Sequence, residues 1–322
     1  MSAKFRLAAV LALSLPLFAS PVHSARAADT VRVGLAAVYP AYSIPYAANE
    51  LGFYKEKNLD VQITQFRGGP ATQEALASGA IDISTIAPGA AALAIAKGVQ
   101  EKIVALSVPP TPEGWHILVP TASPIKSMAE LKGKTVGVTQ KGSLTDFWVQ
   151  RAAAKAGITV QAIPLGAAAV MPALKAKQVD AAILWPVFSY KGLAAGDFRS
   201  IDDLGATMEP SISEGWAASN ELMQNRPAVL RRWLEANAKA IVYLQSRENE
   251  SWAIGFLKRY FDENDDHVIK LTLDNFIKHI NPDGVMKPEW MKASLDLAAS
   301  AGMETKLTAD QIFSTAFTPI KP

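Results

Sequence analysis

Ala75-Leu76-Ala77-Ser78-Gly79-Ala80-Ile81-Asp82 returns as Ala173-Leu174-Lys175-Ala176-Lys177-Gln178-Val179-Asp180, with the Ala-Leu pair and the aspartate each displaced by 98 positions. Upstream of each copy lies a segment of strand composition, Leu59-Asp60-Val61-Gln62-Ile63 in the first and Ile158-Thr159-Val160-Gln161-Ala162 in the second. Further upstream stand Val33-Gly34-Leu35 and Val136-Gly137-Val138. Each half therefore reads strand, helix, strand, helix, strand. Such alternation builds a sheet with helices packed on its faces, and two copies predict two α/β lobes with a cleft between them.

Outward from the repeat, a strand over 31–35 leads into a helix over 40–51, where Gly52 suits the left-handed cap. Strands over 62–66 and 81–86 flank a helix over 70–79 that Pro70 opens. Pro109, Pro110 and Pro112 withhold backbone donors from any ladder and mark a stiff crossing into the second lobe. That lobe carries strands over 115–119, 135–138, 160–165 and 181–185, and the chain crosses back near 211–216. The predicted lobes are residues 28–109 with 215–322, and residues 110–214. In the tail, Leu230, Trp233, Leu234, Ala238, Ile241 and Leu244 recur at helical spacing, so Trp233 is expected in a core. The acid-rich run at 262–266 lacks the glycine and the closing glutamate of a calcium loop and reads as a helix start.

Residues 1–27 have the order of a secretory signal peptide: Lys4 and Arg6, an apolar run from 7 to 19, then Ala25-Arg26-Ala27. Ser14 and Pro16 interrupt the run, which is shorter than the roughly 20 residues a bilayer demands. Cleavage removes Lys4, Arg6 and Arg26 and no acid, so a formal charge of +2 becomes about −1. The basic residues are scattered, which argues against nucleic acid as a partner. There is no cysteine. Disulfides and lipid attachment are thereby excluded, and a free periplasmic protein is expected. With 49% hydrophobic residues the chain can build two cores.

The strongest local signal is Gly137-Val138-Thr139-Gln140-Lys141-Gly142-Ser143-Leu144-Thr145-Asp146, a strand running into a glycine turn that opens a helix. Ser143 is placed to cap that helix and Asp146 to return a bond. Free N–H groups at such a point attract an anion, and a structural cap and a ligand contact both fit Ser143. The Gly137-to-Gly142 spacing is that of a nucleotide P-loop, yet Ser143 stands where its lysine must be. Arg67-Gly68-Gly69-Pro70 is the counterpart turn in the first lobe, and Thr85-Ile86-Ala87-Pro88-Gly89 follows its third strand. In open α/β sheets ligands lie beyond the carboxyl ends of the strands, so these turns are expected to face one cleft. Tyr39, Tyr42, Trp115, Trp185, Phe188 and Trp216 fall at the same turns and predict an aromatic-walled pocket. Glu214, the acid beside the return crossing, is a candidate partner for a ligand amine. The candidate ligand-binding set is thus Tyr39, Tyr42, Arg67, Gly69, Thr85, Pro88, Trp115, Lys141, Gly142, Ser143, Thr145, Trp185, Glu214 and Trp216. No H-E-x-x-H, G-x-S-x-G or G-x-G-x-x-G pattern occurs, so neither enzyme activity nor a metal or cofactor is expected.

Glu50-Leu51-Gly52-Phe53-Tyr54-Lys55-Glu56-Lys57-Asn58-Leu59, Glu74-Ala75-Leu76 with Gly79 and Asp82, Ser123-Pro124-Ile125-Lys126-Ser127 and Leu131-Lys132-Gly133-Lys134-Thr135-Val136-Gly137-Val138 carry a resemblance. On them the chain resembles the periplasmic solute-binding proteins of nitrate/sulfonate/taurine-type ABC importers, the NMT1/THI5-like family. The resemblance implies the type II periplasmic binding protein fold, with a mixed sheet flanked by helices in each lobe, two hinge crossings, and hinge closure on a ligand. It implies a monomer that delivers its cargo to a membrane permease with a cytoplasmic ATPase. The cleft contacts it implies are Tyr39, Tyr42, Gly69, Thr85, Lys141, Ser143, Thr145 and Trp185. One branch of the family is a biosynthetic enzyme with a cysteine-rich iron motif, which a chain without cysteine contradicts. The aromatic turns favour a sulfonate-like or aromatic organic anion, with a pyrimidine-type heterocycle or nitrate as alternatives.

Overall fold

The computed structural model describes residues 27–111, 113–300, 302 and 305–322. The predicted signal segment, apart from Ala27, and Pro112 of the first crossing lie outside them. The chain begins with β1 (Asp29–Leu35), β2 (Leu59–Gln65), β3 (Ile83–Ile86) and β4 (Glu101–Leu106). It continues through β5 (His116–Pro120), β6 (Thr135–Val138), β7 (Gln161–Pro164), β8 (Ala181–Leu184) and β9 (Phe198–Asp203), then returns in β10 (Gly215–Ser219). Two five-stranded sheets result, ordered β2-β1-β3-β10-β4 and β7-β6-β8-β5-β9. β1 is parallel to β2 and β3, as β6 is to β7 and β8. β10 runs antiparallel to β3 and β4, and β5 antiparallel to β8 and β9. The strand that follows each crossing therefore fills the same slot in its sheet. Two lobes, each a mixed sheet flanked by helices, are the predicted fold class.

The repeat has a structural meaning. In the first copy the helix Gly69–Ala77 ends with Ala80 N–H bonded to Ala75 O at 2.8 Å and Gly79 at φ 72°. In the second, the helix Val170–Lys175 ends with Gln178 N–H on Ala173 O at 2.9 Å and Lys177 at φ 57°. Both are Schellman-type stops, which need a left-handed residue. Asp82 then accepts from Arg32 N–H at 2.8 Å and Asp180 from Thr135 N–H at 2.9 Å, so each aspartate pins a next-door strand, β1 at its middle and β6 at its start. Desolvation works to raise the pKa of Asp82, but hydrogen bonds from Arg32 outweigh it and hold the carboxyl below its ordinary value. The conserved spacing of the two copies is thus a helix stop followed by a strand anchor.

The central strands are buried on both faces, as β3 and β8 are along their whole lengths, which is why their sequences read as apolar runs. The expected helix over 40–51 divides into a 3-10 turn, Pro40–Ser43, and a helix, Ile44–Glu50, because Pro45 has no N–H to continue the ladder. Gly52 takes the left-handed position at φ 78°. In the tail, the helix Pro227–Gln245 buries Leu230, Trp233 and Leu234 completely or nearly so. Asp265 caps the helix Asp266–Asn275 by accepting from His267 and Val268 N–H.

Candidate functional site

The carboxyl ends of β1, β2, β6 and β8 point at one another, and the turns after them close on a small cavity of about 30 Å³. That is space for about two water molecules. Eight predicted residues line the cavity: Tyr39, Tyr42, Gly69 and Glu214 with the first sheet, and Trp115, Ser143, Thr145 and Trp185 with the second. Ala36, Ala37, Gly68, Thr139 and Leu144 line it too, and sequence reasoning did not select them. Thr139 and Leu144 stood inside the quoted strand-turn-helix stretch, and Gly68 beside Gly69. That adjacency was the available signal.

The other six predicted residues sit elsewhere. Thr85 lies behind the cavity wall, its hydroxyl accepting from Ala36 N–H at 3.0 Å and its carbonyl from the Thr72 hydroxyl at 3.2 Å. Pro88 is buried at the start of the helix Pro88–Ala96. Trp216 backs the cavity, its ring 6.2 Å from Tyr42 and 5.1 Å from Trp233. Arg67 is exposed and borders an outer groove with Leu165 and Ala167. Lys141 and Gly142 border another groove, with Pro70 and Glu74.

The anion-attracting end is built from two helix starts. Ser143 caps the helix Leu144–Lys155 by accepting from Asp146 N–H, while Asp146 accepts from Gly142 N–H at 2.9 Å. The reciprocal bond thus reaches one residue further back than a standard capping box. Ser143 donates its own proton to Gln140 O at 2.7 Å. Thr139, Ser143 and Thr145 form a hydroxyl cluster with O–O distances of 2.9, 2.9 and 2.8 Å. With the Ser143 proton on Gln140 O and the Thr139 hydroxyl donating to Ser143, Thr145 is the donor in its contacts within the cluster. Helix geometry leaves the first N–H groups of this helix without intrahelical acceptors, and in Gly69–Ala77, where Pro70 has no N–H and Ala71 and Thr72 donate to Gly68 O, it leaves that of Gly69. Gly68 faces Gln140 across the cleft, and a Cβ there would meet the end of the Gln140 side chain and displace it.

Aromatic rings form the remaining wall and span both lobes. Trp115 lies 5.6 Å from Tyr39 and 5.8 Å from Trp185, and Tyr39 meets Tyr42 edge-on at 5.3 Å. Trp115 Nε1 donates to the Tyr39 hydroxyl at 3.3 Å, and Trp185 Nε1 donates to Val38 O at 2.9 Å. Both bonds cross the cleft. Burial raises the Tyr39 phenol well above its usual pKa, with the nearby Glu214 adding to the shift. Two polar groups in this wall have no hydrogen-bond partner among the described residues: the Tyr42 hydroxyl and the Glu214 carboxyl. Burial pushes Glu214 up to about 8. No lysine or arginine lines the cavity. Among the described residues no three His, Asp or Glu side chains gather into a metal-holding group.

Comparison with known proteins matches this architecture. The family described as NMT1/THI5 like matches residues 40–251. A putative binding protein of Brucella abortus is 33% identical over 233 residues, 70% of each chain. A putative aliphatic sulfonates-binding protein of Escherichia coli is 34% identical over 193 residues, 59% of each chain. The alkanesulfonate-binding protein SsuA from Xanthomonas axonopodis pv. citri, solved bound to MOPS, shares the fold with a TM-score of 0.75 at 24% identity, over 88% of this chain and 98% of that one. The two-lobe fold, the interlobe cavity and the extent of these matches together place the chain in the NMT1/THI5-like family of periplasmic solute-binding proteins of sulfonate/nitrate/taurine-type ABC importers.

Proposed function

We propose that the protein captures a small organic anion with a sulfonate-like head between its lobes and delivers it to the permease and ATPase of an ABC importer. One observation carries the reading: two helix starts and a hydroxyl cluster converge on an aromatic-walled cavity that holds no basic side chain. Tetrahedral oxyanions suit such a site, because neutral N–H and O–H donors compensate them without a counter-ion. The E. coli relative, named for aliphatic sulfonates, supports the same choice. Residues 28–109 with 215–322 would move as one body and 110–214 as the other, with Tyr39, Tyr42, Gly69, Ser143, Thr145, Trp115, Trp185 and Glu214 as ligand contacts. The chain acts as a monomer, released into the periplasm by cleavage near residue 27. No helix among the described residues is long and apolar enough to cross a membrane.

Thermal-shift screening against alkanesulfonates, aromatic carboxylates, pyrimidines and nitrate tests the reading. A ligand at a hundred times its Kd adds about 2.7 kcal/mol to stability. Stabilisation by sulfonates is the expected result. A response confined to pyrimidines or nitrate would replace it with the corresponding alternative.

A further inference from the structure

The helix Leu144–Lys155 begins in the cleft wall, at Leu144 and Thr145, and ends in a second concavity that shares no residue with the cleft. Trp148, Arg151 and Lys155, spaced by three and four, fall on one face of this helix. At 1.5 Å of rise per residue, Lys155 stands about 15 Å along the axis from Thr145. Met208 and Ser211, ahead of the return crossing, and Ala293 and Leu297 of the tail helix Pro288–Ser300 close the groove, whose volume is about 300 Å³. Two of its polar atoms are buried with no hydrogen-bond partner among the described residues: Trp148 Nε1, on a residue 1% exposed, and Ser211 Oγ, on one 3% exposed. Ser211 donates its N–H to Pro110 O at 2.8 Å, so the hydroxyl alone is unmatched. Arg151 is half-buried and forms no ion pair among the described residues. Lys155 Nζ donates to Thr207 O at 2.6 Å on the same groove. The two acids of the lining, Glu209 and Asp296, are exposed, and Asp296 is held by Lys292 at 2.6 Å.

We propose that this groove is a second ligand site, built for a small carboxylate with a short apolar chain, whose oxygens accept from Trp148 Nε1, the Ser211 hydroxyl and the Arg151 guanidinium. Buried donors are unfavourable until something accepts from them, and an indole N–H can only donate. A guanidinium with no carboxylate of its own matches the two oxygens of a ligand carboxylate. The apolar chain has Met208, Ala293 and Leu297 to lie against. A monoanion suits a lining of two bases and two acids better than a phosphate dianion does, and 300 Å³ is the lower end of the range for small-molecule sites. The proposal is independent of what the cleft binds.

The indole N–H resonances of the mature, nitrogen-15-labelled protein read both sites in one titration. Trp148→Phe assigns the groove resonance, and Trp115→Phe and Trp185→Phe assign those of the cleft. Butanoate is expected to shift the Trp148 resonance saturably, while butanamide, which keeps the shape and lacks the charge, leaves it in place. Arg151→Gln is expected to weaken butanoate binding by about ten- to a hundredfold, the range of a bond to a charged group, with its melting transition retained. Should Trp148→Phe not fold, calorimetric titration of butanoate into the parent and Arg151→Gln carries the same decision. A Trp148 resonance that butanoate does not move, or that butanamide moves equally, overturns the proposal. Undiminished butanoate binding to Arg151→Gln overturns it too. Shifts confined to Trp115 and Trp185 would put the carboxylate in the cleft, removing the second site and leaving the organic-anion reading in place.

Discussion

A hydroxyl has one proton to give, and Ser143 gives its proton to Gln140 O while accepting the capping bond from Asp146 N–H. Its role is to shape the turn. Thr145 accepts from Thr139 N–H at 2.9 Å, and its hydroxyl lies in the cavity wall, 2.8 Å from Ser143 and 2.9 Å from Thr139. The two residues should therefore separate on substitution. Ser143→Ala is expected to lower stability by about 0.5–2 kcal/mol, the value of a cap, with the smaller effect on affinity. Thr145→Val should weaken binding of an alkanesulfonate by about 1–3 kcal/mol, the scale of a bond to a charged group, and Thr145→Ser should restore most of it. Calorimetry and thermal melts on the same samples decide. An affinity loss larger for Ser143→Ala than for Thr145→Val would reverse the assignment.

At the level of elements, the left-handed stop is occupied by Gly79 in one lobe and by Lys177 in the other. A residue with a Cβ costs roughly 1–2 kcal/mol in that conformation, offset by the extra chain entropy of glycine. Lys177→Gly should therefore stabilise the protein by about 0.5–1 kcal/mol, read as a raised melting temperature with ligand affinity unchanged. No gain, or a loss, would mean that the lysine side chain contributes more than its strain. The same repeat explains why the fold was legible in the sequence. Apolar runs, helix stops and strand anchors are local, and local patterns are visible in one dimension. The site was legible as far as strand ends go, because topology puts those ends together. Side-chain direction was not: Arg67 and Lys141 were selected as members of the two glycine turns, yet both are exposed and border outer grooves. Thr139 and Gly68 matter through the approach of the opposite lobe, a distance that no spacing along one chain encodes.

For the molecule as a whole, two buried carboxyls set the pH response. Burial lifts Glu214 to about 8, and it lifts Glu101 to about 8 as well, against a hydrogen bond from Gln73 that lowers it. The unfolded chain loses these protons near the ordinary glutamate value while the folded chain keeps them. Stability is then complete below that value and declines as pH rises from about 5 to 8, by up to about 1.4 kcal/mol per pH unit for each group. Asp82 and Asp180, both held below their ordinary values, act oppositely and withdraw stability only in stronger acid. Melting temperatures should accordingly peak near pH 5, and Glu101→Gln should flatten the decline; a maximum at pH 8 would refute this account. The order of strands has a different consequence, one of timing. β10 lies between β3 and β4, so the first sheet has an empty slot until residues 215–219 arrive. The second sheet draws all its strands from β5 to β9, a continuous run. As the chain emerges from its N-terminus, the second lobe can close its sheet first, while the half that starts earlier must wait, its β3 and β4 edges open to mispairing, for a strand made more than a hundred residues later.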